Sequence, residues 1–235
     1  YVKENTTLSF GFAARGARGY LSVAGGFDVP FVMNSKSTYL RAKLGGFGGV
    51  PLQDGAELET GALSPEQEKL AAVLSAQSGE TFSSMGWSIP DDSLFAADPI
   101  RVTQGLQADW FDNDTLYTFL ENPYVITAQS DRMGYRLSGM PLHYKDNSLE
   151  MISEPVTFGS IQVPADGNPI ILMADRQTTG GYAKIAQVIQ ADLPRLAQMK
   201  PGQKIYFKPV TLTAAEQALE RQERFLADAK AMVKR

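Results

Sequence analysis

The run Asp175-Arg176-Gln177-Thr178-Thr179-Gly180-Gly181-Tyr182 is the strongest candidate for chemistry in this chain. Two adjacent glycines let successive backbone N–H groups converge, and the side chains of Gln177, Thr178 and Thr179 add neutral donors and acceptors beside them. Such a nest suits an anion or a polarised carbonyl. The same composition also fits a plain hairpin, with the glycines at positive φ and the threonines bonded to backbone.

A second candidate is Gln129-Ser130-Asp131-Arg132-Met133-Gly134-Tyr135-Arg136. Arg132 and Arg136 carry forks that match a carboxylate or phosphate, and Asp131 is placed to orient one of them or to accept a proton. The competing reading is a surface ion pair of little energetic weight. A third run, Arg15-Gly16-Ala17-Arg18-Gly19-Tyr20, reads as a structural turn, because closely spaced glycines serve the backbone more often than a ligand.

Several chemistries are excluded by composition. The chain has no cysteine and one histidine, His143, which removes a thiolate nucleophile, Cys-containing zinc sets and multi-histidine metal centres, so no metal site is expected. His143 lies in Pro141-Leu142-His143-Tyr144-Lys145, which reads as an exposed loop. Neither common phosphate-binding signature is present, and Pro51 spoils the nearest approach to G-x-G-x-x-G after Gly46. A net charge of −4 and a pI near 5.1 give no basic field for nucleic acid or an anionic membrane surface. No apolar run approaches a membrane span and no secretion leader opens the chain, so a cytoplasmic protein without membrane or nucleic-acid partners is expected. The start at Tyr1 rather than Met suggests a processed chain or a fragment.

The elements that must hold these residues read as mainly β with short helices, an α+β chain. Residues 1–60 look like short strands between glycine turns, the C-terminal part of a first β subdomain. Residues 61–97 combine a helix with a linker. Ser64-Pro65-Glu66-Gln67 has the cap, proline and glutamine of a helix start, and that helix is expected to end near Gln77. Residues 98–212 carry strands around 123–127, 161–163, 169–173, 185–189 and 204–207, with helices at 108–120 and 193–199. Irregular alternation favours a mixed barrel or sandwich over repeated βαβ units. Residues 213–235 form an amphipathic helix in which Thr213-Ala214-Ala215-Glu216 reads as a capping box, and Leu212, Leu219, Leu226 and Val233 make a stripe. That stripe needs a surface to dock on, either its own domain or a partner chain.

Three runs of the chain resemble a known family. Arg18-Gly19-Tyr20-Leu21-Ser22-Val23-Ala24-Gly25-Gly26-Phe27-Asp28-Val29-Pro30 and the runs around residues 129–137 and 175–182 are similar to the C component of bacterial ATP-dependent 5-oxoprolinase. The same family is called biotin-dependent carboxyltransferase, allophanate hydrolase subunit 2 or KipI antagonist. The resemblance runs from about Leu8 to Val210. Departures are Asp131 where asparagine is frequent, Ala183 where proline is usual, and Gln104 and Leu106 where prolines are common around Gly105.

The resemblance implies two cyclophilin-like β-barrel subdomains, the first incomplete here. It implies two partner chains, the KipI-like B component and the A component of 5-oxoprolinase, with which ATP, its Mg shared with a partner, drives 5-oxo-L-proline to L-glutamate. On that reading Gln177, Thr178, Thr179 and Asp131 are the catalytic candidates, and Arg132, Arg176, Gly180, Gly181 and Gln129 hold the small-molecule substrate or phosphate. One alternative is the carboxyltransferase component of a biotin-dependent urea or amide carboxylase. The other is a non-enzymatic antagonist that binds a KipI-like kinase inhibitor.

Overall fold

The computed structural model describes residues 1–77, 81–89, 95–96, 98–146 and 151–233. The chain divides into two compact units, Tyr1–Phe12 with Gly19–Ser88, and Ala13–Arg18 with Ile89–Arg235. No helix among the described residues is long and apolar enough to cross a membrane.

In the first unit the short strands expected over residues 1–60 reduce to isolated bridges, Val2 with Phe82, Phe27 with Thr60, Val32 with Ser35 and Tyr39 with Leu44. Gly25, Gly26, Gly45, Gly46, Gly48, Gly49 and Gly55 all have positive φ, as do Met33, Asn34 and Lys43. Each left-handed residue turns the chain before a second ladder pair can form. Helix α1 spans Pro65–Gln77, ending where its sequence predicts. Its capping box is reciprocal: Ser64 Oγ accepts from Gln67 N at 3.3 Å and Gln67 Oε1 accepts from Ser64 N at 2.9 Å.

The second unit is a nearly closed barrel. Its elements in chain order are β1 (Ile100–Gln104), α2 (Asn113–Glu121), β2 (Tyr124–Ile126), β3 (Gly134–Ser138), β4 (Glu154–Pro155), β5 (Ser160–Val163), β6 (Ile170–Leu172), β7 (Thr179–Gly180), β8 (Ala183–Val188), α3 (Leu193–Ala197), β9 (Lys204–Ile205), β10 (Phe207–Pro209) and α4 (Leu212–Val233). The eight-stranded sheet runs β10-β1-β8-β5-β6-β3-β2-β9, and β4 pairs with β7 in a separate two-stranded sheet. β9 pairs antiparallel with β2 while β10 pairs parallel with β1. Only Tyr206 separates β9 from β10, so one extended segment joins the two ends of the sheet. Tyr206 O accepts from Ile100 N at 2.7 Å, which leaves little open edge at the seam.

Alternation along the strands explains the core. Tyr135 and Leu137 on β3, Ile161 and Val163 on β5, and Ile171 on β6 all belong to the buried apolar cluster, each 3% exposed or less. Burying each such side chain contributes about 1.5–3 kcal/mol. Helix α2 covers the closure: Phe119 stacks on Phe207 at 4.6 Å, and Tyr124 lies 6.1 Å from both rings. Burial pushes the Tyr124 phenol above its ordinary pKa, and its O–H donates to Met140 O at 3.1 Å. The helix read over 108–120 is interrupted. A 3-10 turn at Ala108–Trp110 precedes α2, whose cap is Asp112 accepting from Thr115 N at 2.7 Å.

Helix α4 is capped by Thr211 rather than Thr213, since Thr211 Oγ1 accepts from Ala214 N at 3.2 Å and Thr211 O accepts from Ala215 N. Thr211, two residues earlier, lies outside the helix as an N-cap must, and Ala214 at the third helical position leaves the cap one-sided. The helix docks on its own unit: Ala218 is buried and Gln222 Nε2 donates to Ala191 O at 3.3 Å. Residues 13–18 also belong to the barrel unit, with Gln198 Oε1 accepting from Ala17 N and Arg18 N, both at 3.0 Å. Gly16 there has φ +69°, and a Cβ on it would sit 2.5 Å from Gln198 Oε1. The structural reading of that arginine-glycine turn therefore agrees with its contacts.

Candidate functional site

The outer face of the β3–β6–β5 region carries a cavity of about 670 Å³. Period-two alternation turns Arg136 and Ser138 to the face opposite Tyr135 and Leu137, and Gln162 to the face opposite Ile161 and Val163. Three loops wall this face: Gln129, Asp131 and Met133 from one, Pro164, Asp166 and Asn168 from another, and Gln177 with Tyr182 from the third.

Thr127 and Arg136 are opposite each other on the cavity wall. The register of β2 on β3, Val125 with Ser138 and Ile126 with Leu137, continues to this pair, and Thr127 N donates to Arg136 O at 2.9 Å. Opposed residues of an antiparallel pair project from one face. Thr127 Oγ1 is buried without a hydrogen-bond partner. Arg136 is exposed, and among the described residues its guanidinium has no acceptor. It is the only cation in the lining among the described residues.

Both carboxylates in the lining are tied to turns. Asp131 Oδ1 accepts from Met133 N at 2.8 Å and Gly134 N at 3.1 Å, and Asp166 Oδ1 accepts from Asn168 N at 3.0 Å. Asp131 thus shapes the loop that delivers Gln129 and Met133 to the rim. Arg132, two residues before β3, points elsewhere: its Nε and Nη2 bind Asp175 Oδ2 and Oδ1 at 2.7 and 3.1 Å. That pair, with Asp175 N donating to Arg132 O at 2.8 Å, ties the first and third loops together.

The Gln177 to Tyr182 run is neither a nest nor a simple hairpin. Gly180 and Gly181 do not adopt positive φ. Instead Thr179 and Gly180 form β7, opposite Pro155 and Glu154 of β4, and Thr178 O accepts from Val156 N at 3.0 Å. Gly180 is small because Gln162 lies against it. Gln162 is 1% exposed, and its Nε2 donates to Tyr182 O at 3.2 Å. The β4–β7 pair is anchored to the barrel by the buried Lys184, whose ammonium pairs with Glu154 Oε1, and by Gln107 Nε2 donating to the same oxygen at 2.8 Å. The Lys184 hydrogen bond holds the Glu154 carboxyl below its ordinary pKa.

Of the residues singled out in the sequence, the fold brings Gln129, Asp131 and Gln177 to the cavity, together with Arg136. Arg132, Arg176, Thr178, Thr179, Gly180 and Gly181 do not line it. Arg176 Nε is buried without a partner outside this cavity. His143 is exposed, as expected of a loop residue. Thr127, Gln162 and Asn168 were not legible as site residues. The signal available for Gln162 was a lone amide between Ile161 and Val163, one polar residue on the opposite face of an apolar strand. No cluster of three or more His, Cys, Asp or Glu residues suited to a metal occurs among the described residues.

Known proteins share this sequence and this fold. A family model described as the carboxyltransferase domain, subdomain A and B, matches residues 1–209. The chain is 40% identical over 225 residues to the C component of 5-oxoprolinase from Haemophilus influenzae, covering 96% of this chain and 66% of that protein. It is 36% identical over 224 residues to the C component of 5-oxoprolinase from Escherichia coli, covering 95% and 66%. The chain therefore spans about two thirds of the length of these relatives. Among solved structures, the K. lactis urea amidolyase superposes with a TM-score of 0.71 at 26% identity, over 90% of this chain and 13% of that one.

Proposed function

We propose, from the premise that this chain belongs to the carboxyltransferase domain family (subdomains A and B), that it is the C component of an ATP-dependent 5-oxoprolinase. In this reading it acts in the cytoplasm with a KipI-like B component and the 5-oxoprolinase A component to open 5-oxo-L-proline to L-glutamate. The observation that carries the reading is the Thr127–Arg136 pair, a buried hydroxyl without a partner opposite an uncommitted guanidinium. A small carboxylic acid accepts a forked bond from Arg136, and a small shift of the wall that uncovers Thr127 Oγ1 gives that hydroxyl a partner in the same ligand. The neutral amides of Gln129, Gln162, Asn168 and Gln177 then surround the lactam ring with donors and acceptors that need no change of protonation.

A lactam is a poor electrophile, and ATP supplies the chemistry that overcomes this by phosphorylating the carbonyl oxygen before water attacks. The cavity suits the acid rather than the nucleotide. Its lining holds one cation against two carboxylates, a poor match for a triphosphate, so the nucleotide and its Mg are assigned to a partner chain. The role left to this chain is to hold the ring by its carboxylate and fix the lactam carbonyl toward the transferring group. Such positioning accounts for a large part of catalysis in phosphoryl transfer.

The test is co-expression of the full-length protein with the B and A components and measurement of glutamate formed from 5-oxoproline and ATP. Turnover that needs all three chains supports the reading, and its absence from the assembled complex sinks it. A second reading, carboxyl transfer from carboxybiotin to urea or an amide, is favoured by the fold shared with the K. lactis urea amidolyase. It predicts carboxylation of urea with a biotinylated carrier and no ATP-dependent glutamate. A non-enzymatic antagonist of a KipI-like inhibitor would bind the B component and support neither reaction.

A further inference from the structure

Away from the cavity, helix α4 and the barrel enclose a groove of about 940 Å³ whose walls are mostly apolar. Pro99 and Pro194 line one side, and Ala218, Phe225 and Leu226 of α4 line the other. Helix α4, otherwise rich in charge, is buried at Ala218 and again at Ala229, and between these two points Phe225 is 46% and Leu226 52% exposed. The apolar stripe is therefore left partly uncovered between its two buried points.

The charges around this groove are unequal. Arg101, Arg195, Lys208 and Arg221 line it against Asp98 and Asp192. Asp192 is consumed internally, accepting from Arg101 Nη2 at 2.6 Å and Arg195 Nη2 at 3.0 Å, which makes a rigid floor. Lys208, Arg221 and Asp98 remain, two cations to one carboxylate, and neither Lys208 nor Arg221 has an ion-pair or side-chain hydrogen-bond partner among the described residues. The whole chain has a net charge of −4, so a cationic rim on an apolar groove is a local exception. The family match ends at residue 209, before α4 begins at Leu212, while the alignment to the Haemophilus influenzae relative covers 96% of the chain.

We infer that this groove docks a segment of a partner chain of the complex, one whose apolar side chains enter between α4 and Pro194 and whose carboxylates meet Lys208 and Arg221. The inference rests on the reading of this chain as one component of a 5-oxoprolinase and assigns the surface that reading leaves open. Apolar contact supplies most of the affinity of such a site, while the rim charges set orientation and association rate.

The experiment uses the full-length protein, the co-purified B and A components, and two double variants, Lys208→Glu with Arg221→Glu and Phe225→Ser with Leu226→Ser. Binding of each to the B and A components is titrated by calorimetry, beside glutamate formation and thermal unfolding. All four side chains are exposed, so melting temperatures should match the unmodified protein. Each double variant is expected to weaken binding at least tenfold, with turnover restored at saturating partner and the charge-reversal effect shrinking in high salt. Unchanged affinity in both variants, with glutamate still formed, overturns the groove while leaving the function intact. No glutamate from an assembled complex of the unmodified chains overturns the function, and the titration then judges the groove alone. A concentration-dependent dimer of this chain, abolished by Phe225→Ser with Leu226→Ser, would assign the groove to a second copy and overturn the partner.

Discussion

A Cβ on residue 180 would lie 2.6 Å from the Nε2 of Gln162, so a side chain at position 180 requires the buried Gln162 amide to move. The amide of Gln162 is thereby set against β7 and fixed by its bond to Tyr182 O. The glycine serves the shape of the cavity floor. It does not present amides to a ligand, which is how a pair of glycines reads in isolation.

Gly180→Ala should therefore destabilise the protein by about 1–3 kcal/mol, the cost of overpacking, and displace Gln162. Gly181→Ala is the matched control, because a Cβ there meets Ser153 Oγ at an ordinary 3.4 Å. Its effect should be neutral or slightly stabilising, since alanine narrows the unfolded ensemble. Urea unfolding of both variants decides it, and equal losses would show that Gly180 is not size-limited.

Thr127→Val and Arg136→Ala should separate stability from function. Replacing a buried hydroxyl that has no partner by a methyl group of similar shape removes a desolvation cost of about 1–3 kcal/mol, so Thr127→Val should melt higher than the unmodified protein. In the assembled enzyme the same change should raise KM for 5-oxoproline. Arg136→Ala should leave the melting temperature alone and lower kcat/KM by about 10–100-fold, the scale of one lost charge-assisted contact. A Thr127→Val protein that is less stable, with unchanged KM, would mean the hydroxyl has an internal role.

The Glu154–Lys184 pair should be visible in the pH dependence of unfolding. The folded-state pKa of Glu154 is lowered, so its contribution is fully present above the unfolded value near about 4.3 and is lost as pH falls through the lowered folded value. The stability difference between the unmodified protein and Glu154→Gln should therefore stay constant from pH 7 to about 5 and close progressively below about 4. A difference that grows on acidification would contradict this sign.

Asp192→Asn should be costly. Asp192 is 3% exposed and faces Arg195, itself 9% exposed, as well as Arg101 N at 2.7 Å. A guanidinium keeps its charge in any protein environment, so the neutral amide of the variant would leave that buried positive charge without its counter-charge. Breaking such a pair typically costs about 3–5 kcal/mol, and equilibrium unfolding should report a loss in that range.

Local features of this chain were legible because their causes are local. The Ser64 box and Pro65 set the start of α1 within four residues, and runs of β-branched residues bounded by turn residues marked β5, β6 and β8 close to their observed ends. The absence of cysteine and the single exposed histidine excluded whole classes of catalysis, and the 129–136 and 175–182 runs did contain Gln129, Asp131 and Gln177 of the cavity.

Tertiary structure decided which like residue does what. Arg132 and Arg136 are four positions apart and chemically identical, yet Arg132 sits in a loop that meets Asp175, 43 residues onward, while β3 alternation turns Arg136 to the cavity. Gln162 faces away from the core by its strand position alone. That this outer face becomes an enclosed floor depends on Gly180 and Tyr182 crossing it, held there by β4 and Lys184. Composition and spacing act over a few residues and so determine helix starts, strand faces and the inventory of reactive groups. Long-range pairing determines which of those groups share a cavity, because the neighbouring strands β5, β6, β3 and β2 bring residues 127, 136 and 162 to one face and the loop before β7 brings Gln177 beside them.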